Sequence, residues 1–169
     1  GYMLARGDHH IIPIKVTFPE GTTNQDMADI LLRKIPSFNV DEFLGIAKDY
    51  QGYLFPDTYF FPPNADIKVI TDRMFAEFKR KIKKYDAAIL ASGHTEAEII
   101  TMASILEEEV QTADDKKMVA DLLWRRISDG MMLQVDSTLG YINGKKSSDL
   151  TMDDLAMNSL YNSYKNKGL

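Results

Sequence analysis

The sequence predicts an α+β fold, in which a small strand-containing subdomain precedes a mainly helical domain. Residues 11–18 alternate in polarity and are rich in β-branched side chains, which is typical of a strand. From residue 67 onward, apolar residues recur at helical spacing. The chain has 169 residues and is 44% hydrophobic, enough to bury a core in one ordinary domain or two small ones.

The first part of the chain combines this strand with two short helices. Pro13 favours an edge position for the strand. Apolar spacing predicts helices over residues 23–35 and from residue 39 through 47. Proline and glycine break the aromatic segment 51–63 into strands and turns. Its rings either pack between subdomains or line a sugar-binding cleft, and packing is the favoured interpretation.

Helices dominate the rest of the chain. One long helix is predicted over residues 67–92, with the basic residues 79–84 forming a solvated face or attracting anionic envelope polymers. Further helices are predicted over residues 95–110 and 114–129, the second closed by Gly130. A short capped helix begins near residue 151.

The helix over residues 95–110 carries the candidate chemistry. It ends in three consecutive glutamates, at the end of a helix where the macrodipole disfavours negative charge. Helical geometry directs Glu108 into solvent and places Glu107 and Glu109 on the flanks of the apolar stripe. There we expect half-burial at a cleft edge, which raises a carboxyl pKa and suits a general acid. Periodicity leaves Glu107 and Glu109 equal, and a solvated acidic helix end is the alternative.

Composition excludes several other chemistries. The net charge of −5 argues against a nucleic-acid partner bound through a basic surface. The absence of cysteine removes disulfides, thiolate nucleophiles and Cys-based zinc sites. His9, His10 and His94 lack metal-ligand spacing, and neither a phosphate loop nor a serine-nucleophile motif is present. We therefore expect no metal or cofactor, and carboxylate chemistry on a sugar polymer remains.

Four segments carry motifs that occur in the same order, at similar spacing, in one known family. They are Gly-Tyr-Leu-Phe-Pro-Asp-Thr-Tyr at 52–59, Ala-Ser-Ile-Leu-Glu-Glu-Glu at 103–109, Gly-Met-Met-Leu-Gln-Val-Asp at 130–136, and Tyr-Asn-Ser-Tyr at 161–164 followed by Gly168-Leu169. The chain thus resembles the YceG-like family of endolytic murein transglycosylases, from roughly residue 11 to its end. The family pattern has lysine in place of Glu108, threonine in place of Val110, proline in place of Ser137 and glutamate in place of Gln51.

The resemblance implies a lyase that cuts the β-1,4 bond between N-acetylmuramic acid and N-acetylglucosamine within peptidoglycan strands. The product would end in 1,6-anhydro-muramic acid. The family's catalytic glutamate corresponds to Glu109, and its first glutamate to Glu107. Residues 1–50 would end a LysM-like subdomain, and residues 51–169 would be the catalytic domain.

The resemblance also implies a place in the cell. The catalytic domain would lie on the outer face of the bacterial cytoplasmic membrane, held by an N-terminal anchor that this chain lacks, and association with peptidoglycan synthases is a family-level expectation. A segment expected after Leu169 is missing too, and a cleft that needs it would be incomplete.

The implied mechanism uses one carboxylate. Glu109 acts first as acid and then as base, so no second carboxylate is required, and Asp136 receives a supporting role. Four loop residues either bind the substrate's N-acetyl groups and position Glu109, or merely pack the loops: Gln134, Tyr161, Asn162 and Tyr164. A muramidase that admits water, or a non-catalytic glycan-binding module of the cell wall, is the alternative.

Overall fold

The computed structural model describes residues 12–169, which are mostly helical with a small antiparallel sheet, as the α+β prediction requires. The chain divides into two units, with the boundary between Lys84 and Tyr85. This boundary differs from the one predicted after residue 50. His9, His10 and the start of the predicted strand lie outside the described residues.

The first unit contains both strands of the sheet and three helices. They are β1 Ile14–Thr17, α1 Asn24–Lys34, α2 Val40–Ala47, β2 Thr58–Phe61 and α3 Ile67–Ile82. The strands β1 and β2 pair antiparallel, with Ile14 opposite Phe61 and Thr17 opposite Thr58. Because each strand buries alternate residues, one face of the sheet packs on the helices.

A single core explains why the first unit extends to Lys84. Side chains from both strands and all three helices bury together, among them Val16, Leu31, Phe43, Phe61 and Met74. The aromatic segment contributes to this core: the rings of Tyr59 and Phe61 stack, and Tyr53 meets Phe78 edge-on. These rings pack, as the favoured interpretation expected, but they do so within one unit and not between subdomains.

The second unit is helical in the part of the chain described. It contains α4 Asp86–Ser92, α5 Glu96–Glu109, α6 Ala113–Ser128, α7 Asp136–Asn143 and α8 Met152–Leu155. The single helix predicted over residues 67–92 is wrong, because α3 ends at Ile82 and a 3₁₀ turn precedes α4. The apolar pattern that holds α3 in its core stops near Phe78, and α4 buries no residue. Helix α7 was not predicted.

Helix α5 begins as its sequence predicts. The Thr95 hydroxyl oxygen accepts from the Glu98 backbone N–H, while the Glu98 carboxylate accepts from the Thr95 N–H at 2.7 Å. Met102 and Ile105 then anchor α5 in a small core with Leu123, Leu133 and other apolar side chains. Among residues 12–169, no helix combines the length and apolar character that crossing a bilayer would need.

Candidate active site

Glu109 is the last residue of α5, and its carboxylate meets the start of α7. The backbone N–H of Ser137 donates to Glu109 Oε1 at 2.9 Å. The first N–H groups of a helix lack partners within the helix and carry partial positive charge. The contact therefore offsets the unfavourable position of a carboxylate at the negative end of α5.

The exposure of Glu109 differs from the expected half-burial. Its side chain lies among the exposed residues of the second unit, as does that of Glu107. The reason is that only Met102 and Ile105 of α5 are buried, so most of the helix is open to solvent, including the flanks that carry Glu107 and Glu109. Glu108 is exposed, as predicted.

Geometry separates the two glutamates that periodicity left equal. Glu107 Oε2 accepts from Lys116 Nζ of α6 at 2.5 Å, which forms an ion pair between neighbouring helices. Glu109 contacts α7 instead. Glu107 is thus engaged in joining α5 to α6, whereas Glu109 faces the segment that carries the other candidate residues.

Asp136 lies beside Ser137 and accepts two hydrogen bonds. The hydroxyl of Tyr164 donates to Asp136 Oδ1 at 2.6 Å, and the hydroxyl of Ser147 donates to Oδ2. These bonds hold the pKa of Asp136 below its usual range, and the bond from Ser147 has the larger effect. Both carboxylate oxygens are therefore occupied, and Asp136 is an ionised acceptor that fixes its neighbours.

Tyr164 is the counterpart of Asp136. Its hydrogen bond to Asp136, its partial burial and the negative charges of Asp136 and Glu109 raise the pKa of Tyr164 to about 12. The phenol is therefore a protonated donor at neutral pH. The influence of the Glu109 charge also places this ring in the electrostatic surroundings of the candidate acid.

Gln134 occupies a strained backbone position next to these residues. Its φ of 55° lies in the left-handed region, which side chains other than glycine rarely adopt. Two contacts fix the segment: the N–H of Gln134 donates to the Ser163 carbonyl at 3.1 Å, and the N–H of Val135 donates to Ser163 Oγ at 3.0 Å. Strain that surrounding bonds hold in place is typical of functional sites. The Gln134 side chain itself is exposed.

Asn162 and Tyr161 occupy opposite environments. Asn162 is 0% exposed, and its amide donates to the carbonyls of Leu155 and Met157 and accepts from the Tyr164 N–H. Its polar atoms are thus used within the loop, where they shape the segment that carries Tyr164. Tyr161 is 57% exposed and contacts the ring of Tyr141.

Sequence reasoning missed three residues of this arrangement. Ser137 enters the sequence analysis only as a departure from the family pattern, and Ser163 only as a member of the motif at 161–164. Ser147 gives no signal, because serine is common in loops. The hydroxyl of Ser163 accepts from the Val135 N–H and hydrogen-bonds to the Thr138 hydroxyl, so it ties the loop of Tyr164 to the start of α7. Among residues 12–169, no group of three or more carboxylates and histidines is arranged to hold a metal ion.

The fold and the site together define an α+β protein whose candidate chemistry centres on a single carboxylate, Glu109, held at the junction of two helices. The chain belongs to the YceG-like family, whose sequence profile matches residues 2–169.

Two relatives and one solved structure support this membership. A Bacillus subtilis (strain 168) protein named endolytic murein transglycosylase is 33% identical over 120 residues, which cover 70% of this chain and 33% of the relative. A Streptococcus pneumoniae (strain D39) protein of the same name is 32% identical over 124 residues, covering 70% and 22%. This chain therefore spans a third or less of these relatives.

The structural comparison agrees with the sequence comparisons. The crystal structure of a YceG-like protein from Listeria monocytogenes matches with a TM-score of 0.81 and 30% identity, covering 93% of this chain and 61% of that chain.

Proposed function

We propose that this chain belongs to a peptidoglycan lytic transglycosylase that cuts within glycan strands. The names of the relatives support the activity, and the resemblance supports the bond, which joins N-acetylmuramic acid to N-acetylglucosamine. The observation that carries the assignment to a residue is the contact between Glu109 and the N–H of Ser137. It selects Glu109, since Glu107 is engaged with Lys116.

In the proposed reaction, protonated Glu109 donates its proton to the glycosidic oxygen as the bond from that oxygen to C1 of muramic acid breaks. An oxocarbenium-like state forms on the muramic acid ring. The Glu109 carboxylate then removes the proton from the C6 hydroxyl of the same sugar, and the C6 oxygen bonds to C1. The product is a 1,6-anhydro end, and Glu109 is protonated again.

In this chain the Ser137 N–H assists the cycle, although the family pattern has proline here and therefore lacks this donor. It donates to the ionised form of Glu109, which exists between the two proton transfers, and it fixes the direction of the carboxylate. Asp136 and Tyr164 hold the start of α7 from the other side. Because both oxygens of Asp136 accept hydroxyl donors, we assign Asp136 a positioning role and no attack on the sugar.

Of the remaining candidate residues, two are proposed to contact the substrate and two to support the fold around the site. The exposed side chains of Gln134 and Tyr161 are available to meet the acetamido groups and rings of a glycan. Asn162 is buried in its loop and supports Tyr164. Glu107 supports the packing of α5 on α6.

The location and partners are proposed from the resemblance and from the names of the relatives. The protein would act in the bacterial cell envelope, outside the cytoplasmic membrane, tethered by an N-terminal anchor. Peptidoglycan strands are its proposed substrate, and peptidoglycan synthases are its proposed protein partners. The LysM-like character of the first part of the chain stays a prediction.

One observation favours a second candidate, a non-catalytic glycan-binding module. Glu109 is exposed in the second unit, whereas a general acid gains from a desolvated site. The two candidates differ in whether glycan bonds are broken, which can be measured directly.

The test is digestion of purified peptidoglycan with the 169-residue chain, followed by mass spectrometry of the product ends. Anhydro ends from the wild type that disappear with Glu109→Gln support the proposal. Glu108→Gln is the matched control, since it removes a neighbouring exposed carboxylate and should retain activity. Reducing ends would identify a muramidase. Binding without cleavage would favour the module, and full activity of Glu109→Gln would overturn the role of Glu109.

A further inference from the structure

Two tyrosines form an exposed aromatic pair in the second unit. Tyr141 lies on α7, and Tyr161 lies in the loop after α8. Their ring centroids are 5.6 Å apart and their planes meet at 60°. The residues are 53% and 57% exposed, and the adjoining Leu160 is 91% exposed. Large apolar groups gathered at a surface are a feature of binding sites.

The pair lies on the helix and the loop that carry residues of the candidate site. Tyr141 follows Ser137 by four residues, about 6 Å along the axis of α7, and the Ser137 N–H contacts Glu109. Tyr161 precedes Tyr164 by three residues, and Tyr164 bonds to Asp136 at the start of the same helix. The aromatic pair is therefore joined to the site by short stretches of α7 and of the loop.

We propose that Tyr141 and Tyr161 form a stacking platform for the sugar ring adjacent to the one that meets Glu109. This inference rests on the proposed function. The faces of an N-acetylhexosamine ring present C–H groups, which pack on aromatic rings. The ligand is thus a β-1,4-linked, N-acetylated glycan strand.

The size of the platform favours a sugar over a protein. A stable protein interface buries roughly 800 Å² on each partner. Two half-exposed rings offer much less area than that, and the exposed face of one ring is comparable in size to the face of a single sugar.

Binding is measured first in the Glu109→Gln background, so that the ligand is not consumed. The probe is the β-1,4-linked tetramer of N-acetylglucosamine, and its binding is measured by calorimetry or by NMR. Tyr141→Ala and Tyr161→Ala should each weaken binding about tenfold, the loss expected when the ring surface that packs on the sugar is removed. Tyr141→Phe and Tyr161→Phe keep the rings and should bind nearly as the parent does.

The control is Tyr85→Ala, which removes a tyrosine that is 50% exposed and precedes α4. It should leave tetramer binding unchanged. If an alanine variant fails to fold by circular dichroism, leucine at the same position keeps the apolar bulk without the ring, and it should still lose binding.

Cleavage of peptidoglycan by variants with Glu109 intact separates the two proposals. Cleavage by the wild type with unchanged binding and cleavage in the tyrosine variants would overturn the platform and leave the proposed function standing. Tetramer binding that depends on the tyrosines, without any cleavage, would support the platform and overturn the enzyme. Absence of both binding and cleavage in the wild type would overturn both.

Discussion

Replacement of Ser137 by proline tests the contact between α7 and the candidate acid. Proline removes the backbone N–H that donates to Glu109 Oε1 at 2.9 Å. It should be tolerated, because the first N–H groups of a helix make no intrahelical bonds and proline suits the first turn. Proline is also the residue of the family pattern at this position.

The expected magnitude follows from the exposure of the pair. A hydrogen bond to a charged group contributes about 1.5–3 kcal/mol, and water replaces part of it at an exposed site. We therefore take about 1.4 kcal/mol as the upper limit, which corresponds to about a tenfold change in rate. The N–H donates to the carboxylate that forms between the two proton transfers, so its loss should slow cleavage. In Ser137→Pro, kcat for peptidoglycan cleavage should fall by up to about tenfold.

The assay is the rate at which anhydro ends appear from purified peptidoglycan, with Glu109→Gln as the inactive reference. Ser137→Ala is the matched control: it keeps the N–H and removes a buried hydroxyl oxygen that has no hydrogen-bond partner among the described residues. A cleavage rate that is the same in the proline and alanine variants, or higher in the proline variant, would refute the reasoning.

Two further predictions concern the pair Asp136 and Tyr164. Tyr164→Phe should lower kcat about tenfold or more, because it removes a hydrogen bond to a carboxylate. The difference between the ultraviolet titrations of wild type and variant should show one phenol ionising near pH 12. A midpoint of that difference near pH 10, the value of a free phenol, would contradict the bond. Because the folded-state pKa of Asp136 is depressed, its contribution to stability is present above its unfolded pKa of about 3.9 and is lost as the pH falls below it. In urea unfolding, Asp136→Asn should therefore be less stable than the wild type at pH 7, with the difference shrinking near pH 3; a difference independent of pH would count against the ionised acceptor.

Local features of the fold were predictable from the sequence, and pairings between distant residues were not. The capping box of Thr95 and Glu98 lies within four residues, so its outcome depends on neighbours alone. The extent of the first unit depends on contacts between distant residues, such as the pairing of Ile14 with Phe61, which no local pattern reports. That unit extends to Lys84, and the end of a LysM-like subdomain after residue 50 stays a prediction.

Helix α7 shows a different limit. It has eight residues and contains Gly140, which lowers helix propensity. The glycine is explained by the close approach of the chain just beyond the helix, since a Cβ added there would lie 2.8 Å from the Lys145 carbonyl oxygen. A short helix that depends on such packing gives little signal in the sequence.

The candidate site has one part that the local sequence predicts and one part that depends on a distant residue. The glutamate run identified Glu107 and Glu109 because carboxylates at a helix C-terminus break a local rule. The compensation comes from Ser137, which is 28 residues away from Glu109. The expected half-burial was wrong because it assumed that packing would cover the flanks of α5, whereas only Met102 and Ile105 of this helix are buried.

The loop that carries Ser163 and Tyr164 is synthesised after the other residues of the site, so the site can be completed only late in synthesis. Glu109 and Asp136 leave the ribosome before this loop, yet the bonds that fix Gln134, Val135 and Asp136 come from it. Since synthesis proceeds at about 5–20 residues per second, α5 and α6 can form their contacts while the start of α7 is still unsupported. The site is therefore completed only after residue 164 has been made, so a nascent chain that stalls earlier carries Glu109 without the bonds that fix the start of α7.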